Sequence, residues 1–212
     1  MKLEIQNLSR SFGRKEVLRH ITLACEGGRI YGIVGPNGCG KSVLLKCICG
    51  LLDPTEGTIL LDGKKVDHST VCDLNIGACI EKPAFIEEIS GYQNLKYLNS
   101  FHKRIDKDEI LMWMKRFSLY EDRNAKVMDY SLGMKEKLYI IQAIMERQPL
   151  VLMDEVSNSL DKSSKKILHE VLIEQCQSGH LILYVNHDLH EVHEWADEIY
   201  EFNDGRLIPC ES

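Results

Sequence analysis

The chain opens with alternation. In Met1-Lys2-Leu3-Glu4-Ile5-Gln6-Asn7-Leu8 the apolar Leu3 and Ile5 share one side and the polar residues the other, which predicts a strand over 1–8. Val17–Ala24 reads as a second strand and the apolar run Arg29–Val34 as a third. From Ser42 to Ile48 the spacing of Val43, Leu44, Leu45 and Ile48 changes to that of a helix. Leu51–Gly57 carries turn residues, and Thr58–Leu61 and Lys64–Val66 flank an Asp62-Gly63 hairpin turn. Asn75–Ile80 is a short strand. Between Pro83 and about Glu146 the pattern is helical, with helices predicted over Asn94–Lys103, Asp108–Phe117 and Lys135–Arg147. Strands return at Leu150–Met153 and Leu181–Val185, separated by a helix over Ser163–Cys176. A helical turn at His190–Trp195 and a hairpin of Glu198–Asn203 with Arg206–Ile208 close the pattern. Strands and helices that alternate on both sides of a helical middle predict an α/β fold: a mainly parallel core with a helical insertion.

Composition narrows the class of protein. A chain of 212 residues, 44% hydrophobic and 27% charged, is ordinary for a folded globular domain. Its formal charge of -6 argues against a nucleic-acid surface. The eight cysteines form no Cys-x-x-Cys pair, which suits unpaired thiols in a reducing compartment. No run approaches 18 apolar residues and the N-terminus has no signal-peptide core, so membrane association is expected only through another chain.

One stretch carries chemistry. Gly35-Pro36-Asn37-Gly38-Cys39-Gly40-Lys41-Ser42 fits G-x-x-x-x-G-K-[ST], placed between a predicted strand and a predicted helix that Val43 continues. Backbone N–H groups of such a loop cradle phosphate oxygens at a helix N-terminus. Lys41 would reach the β- and γ-phosphates, and the Ser42 hydroxyl would ligate Mg²⁺. Asp154, ending an apolar strand, is a second Mg²⁺ candidate, and Glu155 beside it can polarise a water in line with the γ-phosphate.

The set resembles the nucleotide-binding subunit of an ATP-binding cassette (ABC) transporter, with motifs in the family's order over nearly the whole chain. Gly35–Ser42 matches Walker A, and Leu150–Glu155 matches Walker B with its catalytic glutamate. Ser131-Leu132-Gly133-Met134-Lys135 stands at the signature, Ser159-Leu160-Asp161 at the D-loop, His187 at the switch histidine and Phe12 at the adenine-stacking aromatic. The resemblance implies the ABC ATPase fold as one domain: an α/β core with an antiparallel β subdomain over 1–80 and 148–212, and a helical subdomain over about 81–147. It implies ATP and Mg²⁺ as ligands and hydrolysis as the activity. Glu155, His187 and Lys41 would be catalytic. The loop through Val43, with Phe12, Glu81, Ser131, Gly133 and Asp161, would contact nucleotide. Ser42, Asp154 and Glu81 would face the metal. Ser131 and Gly133, taken to precede the helix Lys135–Arg147, would face ATP held by a second nucleotide-binding subunit. A separate transmembrane permease, docked near Glu81–Tyr92, would hold the chain at the inner, cytoplasmic face of the membrane. Phe12 could equally be a core aromatic, and Asp161 equally a helix N-cap.

Two departures stand out. Glu81, in Ile76-Gly77-Ala78-Cys79-Ile80-Glu81-Lys82-Pro83, replaces the family's usual glutamine, and its charge would need Mg²⁺ or Lys82 as an offset. Leu132 and Met134 replace the usual glycine and glutamine of the signature. With Tyr130-Ser131-Leu132-Gly133-Met134-Lys135 these features are similar to the branch of bacitracin-resistance and lantibiotic-immunity exporters, which implies export of a peptide antibiotic or similar substrate. The alternative is a nucleotide-gated sensor with little turnover.

Overall fold

The computed structural model describes residues 1–70, 74–82 and 84–210. Two sheets are built from strands β1 (Lys2–Phe12), β2 (Lys15–Glu26), β3 (Arg29–Val34), β4 (Glu56–Leu61), β5 (Lys64–Lys65), β6 (Ile76–Cys79), β7 (Leu150–Asp154), β8 (Leu181–Asn186), β9 (Glu198–Asn203) and β10 (Arg206–Pro209). The first sheet, in order β2-β1-β4-β5, is antiparallel. The second runs β10-β9-β3-β8-β7-β6, parallel except for the β9–β10 hairpin.

Strand periodicity divides the core. Leu150, Leu152, Leu181, Leu183 and Val185 join a cluster with α1 (Lys41–Ile48) and the antiparallel sheet. Their neighbours Val151, Met153, Ile182 and Tyr184 point to the opposite side. There they meet α4 (Leu132–Ile144), α5 (Lys162–Gln177) and α6 (Leu189–Trp195), in a cluster that continues into α2 (Gly91–His102) and α3 (Lys107–Arg116). With both faces covered, β7 and β8 are near-continuous apolar runs up to their last residues, Asp154 and Asn186, as expected of parallel central strands.

The boundaries differ from expectation at identifiable places. β1 extends four residues beyond Leu8, because bulges with Asn7 at φ 51 let it keep pairing with β2 as far as Phe12. Phe12 therefore ends the strand rather than following it. Helix α2 starts at Gly91, not Asn94: Ser90 and Gln93 form a reciprocal capping box. Asp106 and Glu109 do the same for α3. Helix α4 starts at Leu132 rather than Lys135, since the Ser131 hydroxyl accepts from the Met134 N–H at 3.3 Å. Gly133 thus lies inside the first turn, contrary to its expected place before the helix. Pro83, taken as the start of the helical segment, lies outside the described residues.

Strand β6 rests directly on α4. A Cβ on Gly77 would stand 1.8 Å from the Ala143 carbonyl oxygen. The Tyr139 hydroxyl, also on α4, donates to the Ile80 carbonyl at 2.9 Å. Gly77→Ala must push two backbones apart, at a cost of about 3 kcal/mol. Calorimetry should then show melting lowered by roughly 6–12 °C; an unchanged melting temperature would contradict this packing.

Candidate active site

A cavity of about 520 Å³ opens where β3, β6 and β7 end and α1 begins. Asn37, Gly38, Gly40, Lys41, Ser42 and Val43 line it from the loop, with Glu81, Asp154 and Glu155 opposite and Val17 at the side. A second cleft of about 580 Å³ adjoins it, sharing Val17 and Gly38 and lined also by Cys39, by Arg14 of the β1–β2 turn and by Lys15, Glu16 and Arg19 at the start of β2. Phe12, beside that turn, is 45% exposed, with the Arg10 guanidinium 4.7 Å from its ring centroid. Exposure of this kind suits a stacking surface and not a core aromatic.

The loop is shaped by its own backbone. Gly40 has φ 122, which L side chains rarely adopt, and it turns the chain into α1. The Lys41 ammonium curls back, donating to the carbonyls of Gly35 at 2.7 Å and Pro36 at 3.0 Å. It also lies 3.5 Å from Glu155 Oε1, and only 5% of the lysine is exposed. A cation so anchored sits where phosphate oxygens would arrive.

Glu155 is aimed by its backbone. Its φ of 52 is unusual for a residue with a Cβ, and its N–H donates to the Val185 carbonyl at 2.9 Å. Asn158 Nδ2 donates to Oε2 at 3.1 Å, and His187 Nδ1 stands 3.4 Å from the same oxygen. Lys41, Glu155 and His187 therefore form a continuous polar row across the ends of α1, β7 and β8.

The oxygen donors fit a magnesium ion. Ser42 and Asp154 face each other, and burial, with the charges of Glu155 and Glu81, pushes the Asp154 carboxyl above its usual range against the opposing effects of Ser42 and Lys41. A divalent cation would favour the ionised form. Two protein oxygens suit Mg²⁺, which keeps most of its shell for water and phosphate. Mg²⁺ bound there would neutralise phosphate charge; Ser42 and Asp154 would hold it. Glu81 lines the same cavity, at φ 67, but its carboxylate is paired with Lys46 of α1. The offsetting cation is Lys46, not Lys82.

The remaining candidates lie elsewhere. Ser131 and Gly133 do not line either cleft: Ser131 is exposed, Leu132 between them is 69% exposed, and Gly133 stands beside the Ser159 carbonyl. Asp161 caps α5, accepting from the Ser164 N–H at 2.9 Å, and its carboxyl is held well below the usual range by the Ser163 hydroxyl and Ser164. It also lies 3.5 Å from Lys137 of α4, so the Ser159–Asp161 segment and the Ser131 helix start share one face. Lys46, Val17 and Asn158 were not singled out from sequence. Lys46 sits five residues past Lys41 in a recognised helix, but its partner is 35 positions away.

Comparison with known proteins points to one family. The family model described as ABC transporter matches residues 18–158. The uncharacterized ABC transporter ATP-binding protein YybJ of Bacillus subtilis is 33% identical over 209 residues, covering 99% of this chain and 96% of the relative. The lantibiotic transport ATP-binding protein SrtF of Streptococcus pyogenes is 31% identical (97% of this chain, 89% of the relative), and the bacitracin transport ATP-binding protein BcrA of Enterococcus faecalis is 32% identical (97% and 68%). A solved ATP-binding subunit of an ABC transporter superposes with a TM-score of 0.89 at 26% identity, covering 98% of this chain and 88% of that one. A dimeric ATP-binding cassette in a post-hydrolysis state with ADP and Pi superposes at 0.88 and 23% identity, covering 97% and 96%, and shares the fold. Among the described residues no helix is long and apolar enough to cross a membrane. The phosphate loop, the polar row beside it and these relatives together identify the chain as an ABC transporter ATP-binding subunit, an ATPase of that family.

Proposed function

We propose that two such cassettes, or this one with a homologue, close over two ATP–Mg²⁺ and drive an exporter through a separate membrane permease. The observation that carries this reading is the row Lys41–Glu155–His187 beside the phosphate loop. Glu155 orients and polarises the attacking water, and Lys41 stabilises the charge that develops on the phosphoryl oxygens. His187, whose Nδ1 stands 3.4 Å from Glu155 Oε2, reaches toward the γ-phosphate. Phe12 offers its exposed ring to adenine.

The signature requires a second chain. Ser131 and Gly133 carry a hydroxyl and free N–H groups at a helix start, yet stand apart from the cavity of their own chain. Facing the ATP of a partner cassette gives those donors an acceptor. Asp161, on the same face, would lie at that junction.

The permease would dock against the segment Glu81–Tyr92, where Ile86 is exposed, and the neighbouring groove of about 310 Å³ between β6 and α2, lined by Leu98, Phe101 and Gln142. That contact places the chain at the cytoplasmic face of the membrane. Likeness to SrtF and BcrA supports a peptide antibiotic or similar compound as cargo.

The test is co-expression with a candidate membrane permease from the source genome. The pair should co-purify from membranes and raise tolerance to a bacitracin- or lantibiotic-type peptide, an effect that Glu155→Gln removes. Failure to co-purify would exclude the permease reading, and tolerance unchanged despite co-purification would exclude the cargo.

A further inference from the structure

Behind the polar row lies a buried group that neither the motifs nor the mechanism uses. Glu191, on α6, is 7% exposed. Its Oε1 accepts from the Ser157 hydroxyl, from the Tyr184 hydroxyl and from Asn186 Nδ2 at 2.8 Å. Its Oε2 accepts from Lys165 Nζ of α5 at 2.5 Å. The donors crowd together: the Tyr184 and Ser157 hydroxyl oxygens stand 2.9 Å apart, and Asn186 Nδ2 also donates to Ser157 at 3.0 Å.

Placement gives this network its meaning. Ser157 stands two residues after Glu155, in the turn between β7 and α5. Asn186, the last residue of β8, immediately precedes His187 and the turn into α6, and its Oδ1 accepts from the Asp188 N–H at 3.1 Å. One carboxylate oxygen therefore ties together the two turns that present Glu155 and His187, whose side chains meet at 3.4 Å. Removing a carboxylate from water is costly unless its lone pairs are filled, and here four donors fill them, one of them a cation. Burial pushes the Glu191 carboxyl up, but Lys165, Ser157 and Tyr184 outweigh it and hold it below its usual value.

We propose that Glu191 is a positioning residue for hydrolysis: by gathering Ser157, Tyr184, Asn186 and Lys165 it sets the separation of Glu155 and His187. It acts through those turns and touches no reacting atom. The proposal rests on the hydrolytic roles given to Glu155 and His187 above.

The test is ATP turnover by the purified full chain. Glu191→Gln keeps the shape but turns an N–H₂ toward Lys165 or toward the hydroxyls. Misplacement of the catalytic pair should lower kcat roughly tenfold, since small displacements near the chemistry are costly, while KM for ATP stays within about twofold. Adding Lys165→Met removes the clashing donor and lets the amide oxygen accept from the three others. Glu191→Gln/Lys165→Met should therefore return kcat to within about threefold of wild type. Wild-type kcat in Glu191→Gln, a loss shared by KM, or a folded double variant that does not recover would each overturn the proposal. Should Glu191→Gln not fold, Ser157→Ala carries the test: lower kcat at constant KM supports it, and wild-type kcat refutes it. Wild-type turnover in Glu155→Gln would sink the hydrolytic assignment and this proposal with it. Normal loss in Glu155→Gln beside normal kcat in Glu191→Gln sinks the network alone.

Discussion

Glu155→Gln is expected to lower ATP turnover by about a thousandfold while leaving nucleotide bound. Removing a positioned base costs on the order of 10²–10⁴-fold. The amide preserves the size of the side chain, so the φ of 52, the Val185 hydrogen bond and the packing of the turn survive. What is lost is the acceptor that polarises water. Binding energy for ATP comes from the loop and is untouched, so the variant should hold ATP in a long-lived dimer. Phosphate release and size exclusion with and without ATP measure both halves. Wild-type phosphate release would remove Glu155 from the chemistry, and loss of turnover without a dimer would count against the shared site.

Lys41→Ala should fail at an earlier step. The lysine is nearly buried, with its ammonium on the Gly35 and Pro36 carbonyls and beside Glu155. Losing charge-assisted hydrogen bonds to phosphate costs about 1.5–3 kcal/mol each, or roughly tenfold to 150-fold in ATP affinity per bond. Turnover should fall by a further 10²–10³, because the same cation faces charge that grows in the transition state. Truncation also leaves two loop carbonyls without their donor, so melting should drop modestly. Titration with a fluorescent nucleotide separates the effects: wild-type affinity would show that Lys41 serves the loop's fold and not its ligand.

The two variants differ because the residues enter the site differently, and this also explains what sequence could show. Lys41 is placed by neighbours: the glycines, the helix that follows and the ammonium all lie within one octapeptide. Asp154 and Glu155 were recognisable by standing at the end of an apolar strand, and His187 through the family resemblance. The strands themselves were legible, since β7 and β8 are apolar on both faces. Errors concentrated at helix starts. Ser90 with Gln93, and Ser131 alone, capped helices three residues earlier than hydrophobic spacing suggested, because a cap is set by a hydroxyl that accepts a backbone N–H, which an apolar pattern does not register. That error moved Gly133 into a helix.

Pairings across the fold were hidden for a different reason. Glu81 was singled out as an unusual charge, but Lys46 answers it from 35 residues away, across a cavity that exists only after β6 docks beside β7. Glu191 was not singled out, because an acid on a short helix carries no local signal of burial. Its burial depends on α5 and α6 closing over β8 from separate parts of the chain.

Local chemistry, then, was determined by the sequence alone: phosphate-binding glycines, a lysine and a serine in fixed spacing, and acids ending apolar strands, all set by bonds and periodicities a few residues long. The tertiary structure decided which charges meet. Long-range contacts bring Lys46 to Glu81, Glu155 to His187 and four donors to Glu191, and the free energy of burying a charge depends on partners that no short segment contains.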